Sequence, residues 1–261
     1  MAKFYPLFSS SSANASYIGG RNAGILVDAG ASCKKMLEAL ERNGLQKQCV
    51  QGIFITHTHS DHVKGLRVLL GKLKVPVYAT MQSLEKLIHD GQIPAGIDTI
   101  PIDTGAVSCG DCEITAFPTM HDAAGSCGYR IHTADDKFCA VCTDLGVVTP
   151  EVRAAVTGCD MVLLESNYDV QMLRTGPYHP DLKRRIMSEY GHLSNDASAQ
   201  LADYLVHNGT TRLLLGHLSP HNNTPEKAAA AAYEGLKNYT SGMDYLLGIA
   251  PVETQGGAVI F

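Results

Sequence analysis

Thr56-His57-Thr58-His59-Ser60-Asp61-His62 puts four ligand-type side chains into six residues, directly after the apolar run Gly52-Ile-Phe-Ile-Thr56 and before a helix-like run from Val63. The short, β-rich run reads as a buried strand. The cluster therefore sits in the loop at a strand's carboxyl end, where open α/β sheets place their sites. His57 and His59, two residues apart in extended chain, point to the same side and can hold one ion between them. Asp61 and His62 turn into the helix start and can face a second ion beside it. Imidazole and carboxylate donors suit zinc or manganese, with iron also compatible. The lack of thiolates marks an exchangeable hydrolytic site rather than a closed structural one.

Further ligand types stand at other strand ends. His121 follows the run Ile114–Phe117, Asp144 follows Phe138–Thr143, and His217 follows Arg212–Gly216. Gly24–Asp28, Val75–Ala79, Met161–Glu165, Asp244–Gly248 and Ala258–Phe261 also read as strands. Helices are expected after Ser32, from Met81, over Asn195–His207, and from Thr224-Pro225-Glu226. That last triplet combines a cap oxygen, a proline at the first helical position and an acid near the positive dipole end. A β-rich stretch from about 98 to 148, set among strand–helix alternation, predicts a layered α/β fold of two sheets with helices outside. No linker or repeat divides the chain, so residues 1–261 are expected to form one domain.

Composition narrows the function. With 45% apolar and 18% charged residues among 261, disordered and coiled-coil classes are excluded. No apolar run reaches membrane-spanning length and no signal pattern opens the chain, so neither a membrane partner nor export is expected. The eight cysteines then read as reduced thiols of a cytoplasmic protein. Twenty-one basic against 26 acidic residues leave a charge of −5, so a nucleic-acid partner must be held by a local patch. Eleven histidines, about twice ordinary usage, point to metal or acid–base chemistry.

His57-Thr-His-Ser-Asp-His62, His121, Asp144 and His217, in that order, resemble the metallo-β-lactamase superfamily. The resemblance implies a four-layer αββα sandwich with a dinuclear metal site along one edge. It implies His57, His59 and His121 on one ion, Asp61, His62 and His217 on the other, and Asp144 bridging. Phe8-Ser-Ser-Ser-Ser-Ala-Asn14, Thr143-Asp-Leu-Gly146, Glu165-Ser-Asn167, Leu173-Arg-Thr-Gly-Pro177 and Gly191-His-Leu-Ser-Asn195 are similar to the YycJ/WalJ group of that superfamily. Its members are bacterial, cytosolic and DNA exonuclease-like.

Glu165 ends a strand, and His192 precedes a helix. In tRNA-maturing members of the superfamily, a similarly placed Glu and His protonate the leaving oxygen, so Glu165 and His192, with Asp61, are the candidate catalytic residues. Arg174, Lys183, Arg184 and Arg185 form a basic cluster between Glu165 and His192. Together with Ser10 and Ser11 of the Ser9–Ser12 loop, and Asn14 just after it, they are candidate substrate contacts, the loop offering hydroxyls and backbone donors to phosphate. Cys139 and Cys142 lie three apart in a strand, on opposite faces, so they cannot chelate together. The expected activity is a dinuclear-metal phosphodiesterase acting on nucleic acid, DNA ahead of RNA. An RNA-processing nuclease and a thioester or lactam hydrolase are the alternatives. The leaving-group acid and the cations speak against carbon-centred hydrolysis, and the complete ligand set against a non-enzymatic regulator.

Overall fold

Residues 3–101 build one sheet and residues 106–249 a second, in the computed structural model of the protein, which describes residues 2–261. In the first half, β1 (Lys3–Ser10), β2 (Ala13–Gly19) and β3 (Gly24–Val27) lead to α1 (Cys33–Arg42) and β4 (Val50–Phe54). Next come α2 (Ser60–Val63), α3 (Leu66–Leu73), β5 (Val77–Ala79), α4 (Met81–His89) and β6 (Thr99–Pro101). The second half opens with β7 (Ala106–Cys109), β8 (Cys112–Pro118), β9 (Cys127–Thr133) and β10 (Phe138–Cys142). It continues with α5 (Pro150–Val156), β11 (Met161–Glu165), α6 (Val170–Thr175) and α7 (Pro180–Ile186). α8 (Asn195–His207), β12 (Arg212–Gly216), α9 (Pro225–Gly235) and β13 (Leu246–Ile249) complete it. The strand orders are β1-β2-β3-β4-β5-β6 and β13-β12-β11-β10-β9-β8-β7.

Three apolar clusters separate four layers, the expected αββα sandwich. Met36, Leu40, Leu66, Leu70 and Leu84 cover the outer face of the first sheet. Val152, Leu201, Leu205, Ala228 and Ala232 cover that of the second. Between the sheets, Phe54 stacks on Tyr78 with ring centroids 4.3 Å apart and meets Tyr129 edge-on at 5.5 Å. Tyr129 Oη also donates to Ile55 O at 2.6 Å, fastening the second sheet to the chain just before His57. Cys139 packs into the central cluster and Cys142 into the outer one, the opposite faces that their spacing requires. No helix among the described residues is long and apolar enough to cross a membrane.

The helix starts follow local chemistry. Ser32, Thr80, Thr149 and Thr224 each accept a backbone N–H of their own first turn, and Pro150 and Pro225 fill first positions. Several expectations shift. The segment Ala258–Phe261 is not a strand; Val259 only bridges Phe4. The last strand is Leu246–Ile249 rather than Asp244–Gly248, and β5 starts at Val77, after Pro76, which has no N–H for the ladder. The run from Val63 divides at Lys64-Gly65 into α2 and α3. Strands β1 and β2 are new: nearly every residue of both is buried, so neither shows the alternation that marks a half-buried strand.

Parallel pairing decides where the site lies. β3 and β4 pair parallel in one sheet, β10, β11 and β12 in the other, so the loops beyond their carboxyl ends line one edge. Replacing Phe54 by Ala should remove the ring shared by both sheets and destabilise the protein by about 3–5 kcal/mol in urea unfolding. A loss below about 1 kcal/mol would show that the sheets are not joined there.

Candidate metal centre

Each predicted ligand sits just beyond a strand: His57, His59, Asp61 and His62 after β4, His121 after β8, Asp144 after β10, and His217 after β12. Their donor atoms gather into the expected groups, His57 with His59 and His121, and Asp61 with His62 and His217. Asp144 joins His57 and His62 in one group and Glu165, His192 and His217 in another. His59 Nδ1 lies 3.3 Å from His121 Nε2, and His62 Nε2 lies 3.3 Å from both Asp61 Oδ2 and Asp144 Oδ2. His217 Nε2 is 3.6 Å from Asp61 Oδ2, and His121 Nε2 is 3.7 Å from Asp144 Oδ1.

A second ring of acceptors fixes where the ring protons sit. His62 Nδ1 is 2.8 Å from Asp28 Oδ2, and Asp28 Oδ1 also accepts from Thr56 N at 2.9 Å. Because Thr56 gives its hydroxyl hydrogen to Asp28, it can only accept from His57 Nδ1, 3.0 Å away. His121 Nδ1 donates to Gly191 O at 3.0 Å. His192 Nδ1 and His217 Nδ1 both lie 2.8 Å from Glu165 Oε1, while Glu165 Oε2 accepts from Leu145 N at 3.0 Å. With a proton on Nδ1 of His57, His62, His121 and His217, Nε2 is the nitrogen each of these rings turns toward the site, where a cation would take the place of any second proton.

The residues fit divalent cations. His57 Nε2, His217 Nε2 and Asp144 Oδ2 are buried without any hydrogen-bond partner among the described residues. Such atoms are costly unless something positive completes them. The 3.3–3.7 Å spacings between donors are close to the ~3.4 Å edge of a tetrahedron with arms of about 2.0–2.1 Å.

Charge follows the same logic. Burial and the neighbouring His62 push His57 well below its usual pKa. Burial also opposes charge on His62 and His217, but carboxylates outweigh it: Asp28 and Asp144 hold His62 well above its usual value, and Asp144, Asp61 and Glu165 push His217 up to about 10. Burial raises the Asp28 carboxyl too. Its three hydrogen-bond donors, which only a carboxylate can serve together, place the shared proton on His62 Nδ1. Burial likewise opposes ionisation of Glu165, yet His192 and His217 hold it below its usual range.

Backbone conformation serves the same end. Asp28, Asp144 and His217 lie at φ of 64°, 58° and 56°, a left-handed region that side-chain-bearing residues adopt only when the surroundings impose it. Gly30 lets the loop beyond β3 close on α2. A Cβ there would lie 1.7 Å from Asp61 O, so only glycine brings Asp28 against His62.

The expected substrate contacts are sorted differently. Ser11 is exposed and lines a cleft of about 180 Å³ with His121, Asp122, Tyr178, Arg185 and His192. Ser10 is buried, its Oγ accepting from Ser12 N at 3.2 Å. Buried Asn14 donates to Ser10 O at 2.9 Å and Asp61 Oδ2 at 3.1 Å, so it braces a ligand instead of meeting a substrate. Ser9 Oγ accepts from His217 N at 2.9 Å. The basic cluster is not a free patch. Lys183 Nζ donates to Arg174 O and Gly176 O, Arg184 pairs with Asp181 and Arg185 with Asp122, leaving Arg174 exposed nearby. A wider concavity of about 430 Å³ at Ser108–Glu113 and His132–Asp136 contains none of these residues. Sequence reasoning missed Asp28, visible only as an acid ending an apolar strand, and Asn167, whose Nδ2 donates to His217 O at 2.8 Å.

With this geometry in view, comparison with known proteins is decisive. Residues 24–218 match the family model described as a beta-lactamase superfamily domain. The chain belongs to the metallo-β-lactamase superfamily. It is 38% identical over 238 residues to "Exodeoxyribonuclease YycJ" of Bacillus anthracis, covering 90% of this chain and 89% of that protein. It is 37% identical over 229 residues to "Exodeoxyribonuclease WalJ" of Streptococcus pneumoniae, covering 87% and 85%. The fold of "metallo-beta-lactamase fold protein YhfI" from Bacillus subtilis superposes with a TM-score of 0.71 at 16% identity, covering 97% of this chain and 98% of that one. As in other metal sites of His ligands braced by carboxylates, the outer ring should matter almost as much as the ligands. Asp28→Ala should weaken metal affinity about 10–100-fold in competition with a chromogenic chelator, and Asp28→Asn, which keeps an acceptor, less. Unchanged affinity in both would remove Asp28 from the centre.

Proposed function

We propose that the protein is a cytoplasmic, divalent-metal-dependent exodeoxyribonuclease, with residues 1–261 acting as one domain. Glu165 Oε1 carries the reading: it takes His217 Nδ1 and His192 Nδ1 at 2.8 Å each, coupling a ligand to a candidate proton donor. A hydrolase that expels a poor leaving group, such as a sugar oxygen, needs that donor; one that opens a thioester does not. The two curated relatives named as exodeoxyribonucleases, each aligned over more than four-fifths of the chain, support the same substrate class.

We assign His57, His59 and His121 to one ion, Asp61, His62 and His217 to a second, and Asp144 to both. Zinc or manganese suits these nitrogen and oxygen donors, with iron also compatible. Bound there, divalent cations make water a usable nucleophile at neutral pH and neutralise charge on a phosphoryl group. The chain's own residues do the rest. Asn14 and His217 orient Asp61, Asp28 and Thr56 hold His62 and His57, and Gly191 O holds His121. Glu165 steadies the His192 ring from Nδ1, so that Nε2, once it too carries a proton, can pass that proton to the departing oxygen. The cleft containing Ser11, Tyr178 and Arg185 receives the terminal nucleotide. Eight buried, unpaired thiols suit the reducing cytoplasm.

Metal-loaded protein should shorten end-labelled linear DNA while leaving circular single-stranded DNA intact and linear RNA slower to react. Cutting the circle would overturn the exonuclease reading, and inertness toward every nucleic acid alongside thioester turnover would overturn the nuclease itself. His192→Ala should slow DNA turnover by about a hundredfold or more. That loss should shrink for a nitrophenyl phosphodiester, whose leaving group needs no proton; an equal loss on both substrates would remove His192 as the acid.

A further inference from the structure

With the cations of α7 engaged inside the chain, Arg174 is the member of that cluster whose side chain is in neither an ion pair nor a carbonyl contact among the described residues, and further cations outside any ion pair lie along residues 64–74. α2 and α3 follow each other closely: Lys64 and Gly65 between them keep right-handed helical backbone, although Gly65 N donates to Ala29 O instead of continuing the ladder. From Asp61 to Glu85 the chain contains no other acidic residue. Arg67 and Gly71 lie one turn apart on α3, with Lys64 just before the helix and Lys74 at its C-cap, and all are exposed. Whereas Arg184 and Arg185 are in ion pairs, Lys64, Arg67 and Lys74 are in none among the described residues. Arg67 donates only to Gly91 O, at 3.1 Å. Lys72, on the adjoining side, lies beside Glu38 and Glu41 of α1 and adds little.

The stripe starts at the site. Lys64 stands one turn beyond Asp61 and lines a groove of about 330 Å³ with Ser10, Ser12, Gly30, Ser32 and Lys35. Lys35 is already paired with Glu253 at 2.8 Å, so Lys64 supplies the groove's free positive charge. The β1–β2 hairpin tip separates this groove from the cleft containing His121 and His192: Ser12 faces the groove and Ser11 the cleft. Beyond Arg67, a Cβ at Gly71 would meet nothing within 4 Å, so no side chain there keeps a polymer away from the helix. Over Leu66–Leu73 the helix advances about 12 Å.

We propose that the groove at Lys64 and the Arg67–Lys74 face form the track for the sugar–phosphate backbone of the strand leading away from the scissile bond. The inference rests on the nuclease reading above and gives it a location for its polymer. A strand crosses the hairpin tip, its terminal nucleotide in the cleft and its following phosphates over Lys64, Arg67 and Lys74. On a chain of net charge −5, this stretch has no acidic residue of its own, and the carboxylate lining the groove, Glu253, is held by Lys35 and Arg42, so Lys64, Arg67 and Lys74 can meet a polyanion.

The test is binding of a fluorescein-labelled, cleavage-resistant phosphorothioate DNA strand to the manganese-loaded protein by anisotropy, across a salt titration. The double variant Lys64→Glu/Lys74→Glu should bind at least about tenfold more weakly at low salt, and its log–log salt slope should flatten by about 1.4, two single-strand phosphate contacts. Lys64→Gln/Lys74→Gln, which introduces no repulsion, should show the same flattening with a smaller loss. Lys137→Glu/Lys237→Glu makes an equal charge change on the other half of the molecule and should cost less than the first pair. Binding within about twofold of the parent in both Lys64/Lys74 variants would overturn the track, as would an equal loss in the Lys137/Lys237 control. If the parent protein neither binds nor shortens DNA, the nuclease reading itself fails; if it shortens DNA and the Lys64 and Lys74 changes are silent, only the track does.

Discussion

Imidazole nitrogens and carboxylate oxygens lie 3.3–3.7 Å apart at one edge of the sandwich, largely shut off from water. Without cations, protons that the carboxylates hold on His62 and His217 offset their charge, and each group forgoes the hydration it would have in the unfolded chain. Divalent cations would take the place of those protons, provided that His57, His62, His121 and His217 turn Nε2 toward them. Asp28, Thr56, Gly191 O and Glu165 enforce this by taking the Nδ1 hydrogens of His62, His57, His121 and His217. The outer acceptors therefore set the chemistry of the inner donors, and the rest of the fold holds the acceptors still.

That demand explains why the sheets are tied so closely. The donors come from both halves of the chain, so a slip of one sheet against the other would separate His57 from His121 and His62 from Asp144. The Phe54–Tyr78–Tyr129 contact resists such a slip, and the Tyr129 hydroxyl bonds to the residue two before His57. The β1–β2 hairpin adds a second tie, with Ser9 holding the backbone at His217 and Asn14 holding Asp61. The left-handed backbone at Asp28, Asp144 and His217 is sustained because packing and hydrogen bonds on both sides over-determine it.

What could be read in advance follows the range of each interaction. The His57–His62 cluster and the strand ends bearing His121, Asp144 and His217 are local patterns of residue type beside apolar runs, whereas the pairing of Glu165 with His192, 27 positions apart, came from the resemblance to the superfamily. The layered two-sheet fold came from the same local cues. The partners of those residues were not legible, because Ser9 and His217 meet across 208 positions and Asp28 and His62 across 34. Nothing near Ser9 or Asn14 in sequence distinguishes a brace from a substrate contact. Residues around them are polar and small, so the tip reads as a loop although Ser9, Ser10 and Asn14 are buried. Charge was misread for the same reason: Lys183, Arg184 and Arg185 form a conspicuous run, but their carbonyl and carboxylate partners are visible only in three dimensions.

The distribution of paired and unpaired charge therefore says more about a polyanionic substrate than the total does. A net charge of −5 sets a weak repulsive background, screened within about 10 Å at ordinary salt. Within that distance what matters is whether a cation has a carboxylate of its own to satisfy it. Arg185, facing Asp122 at the rim of the cleft, contributes shape and a fixed donor more than net field. Lys64, one turn from Asp61 and free of any such partner among the described residues, contributes field. A site whose inner ring is rich in carboxylates can admit a phosphodiester only if cations offset that charge: metal ions at the centre, and unpaired side chains where the polymer continues.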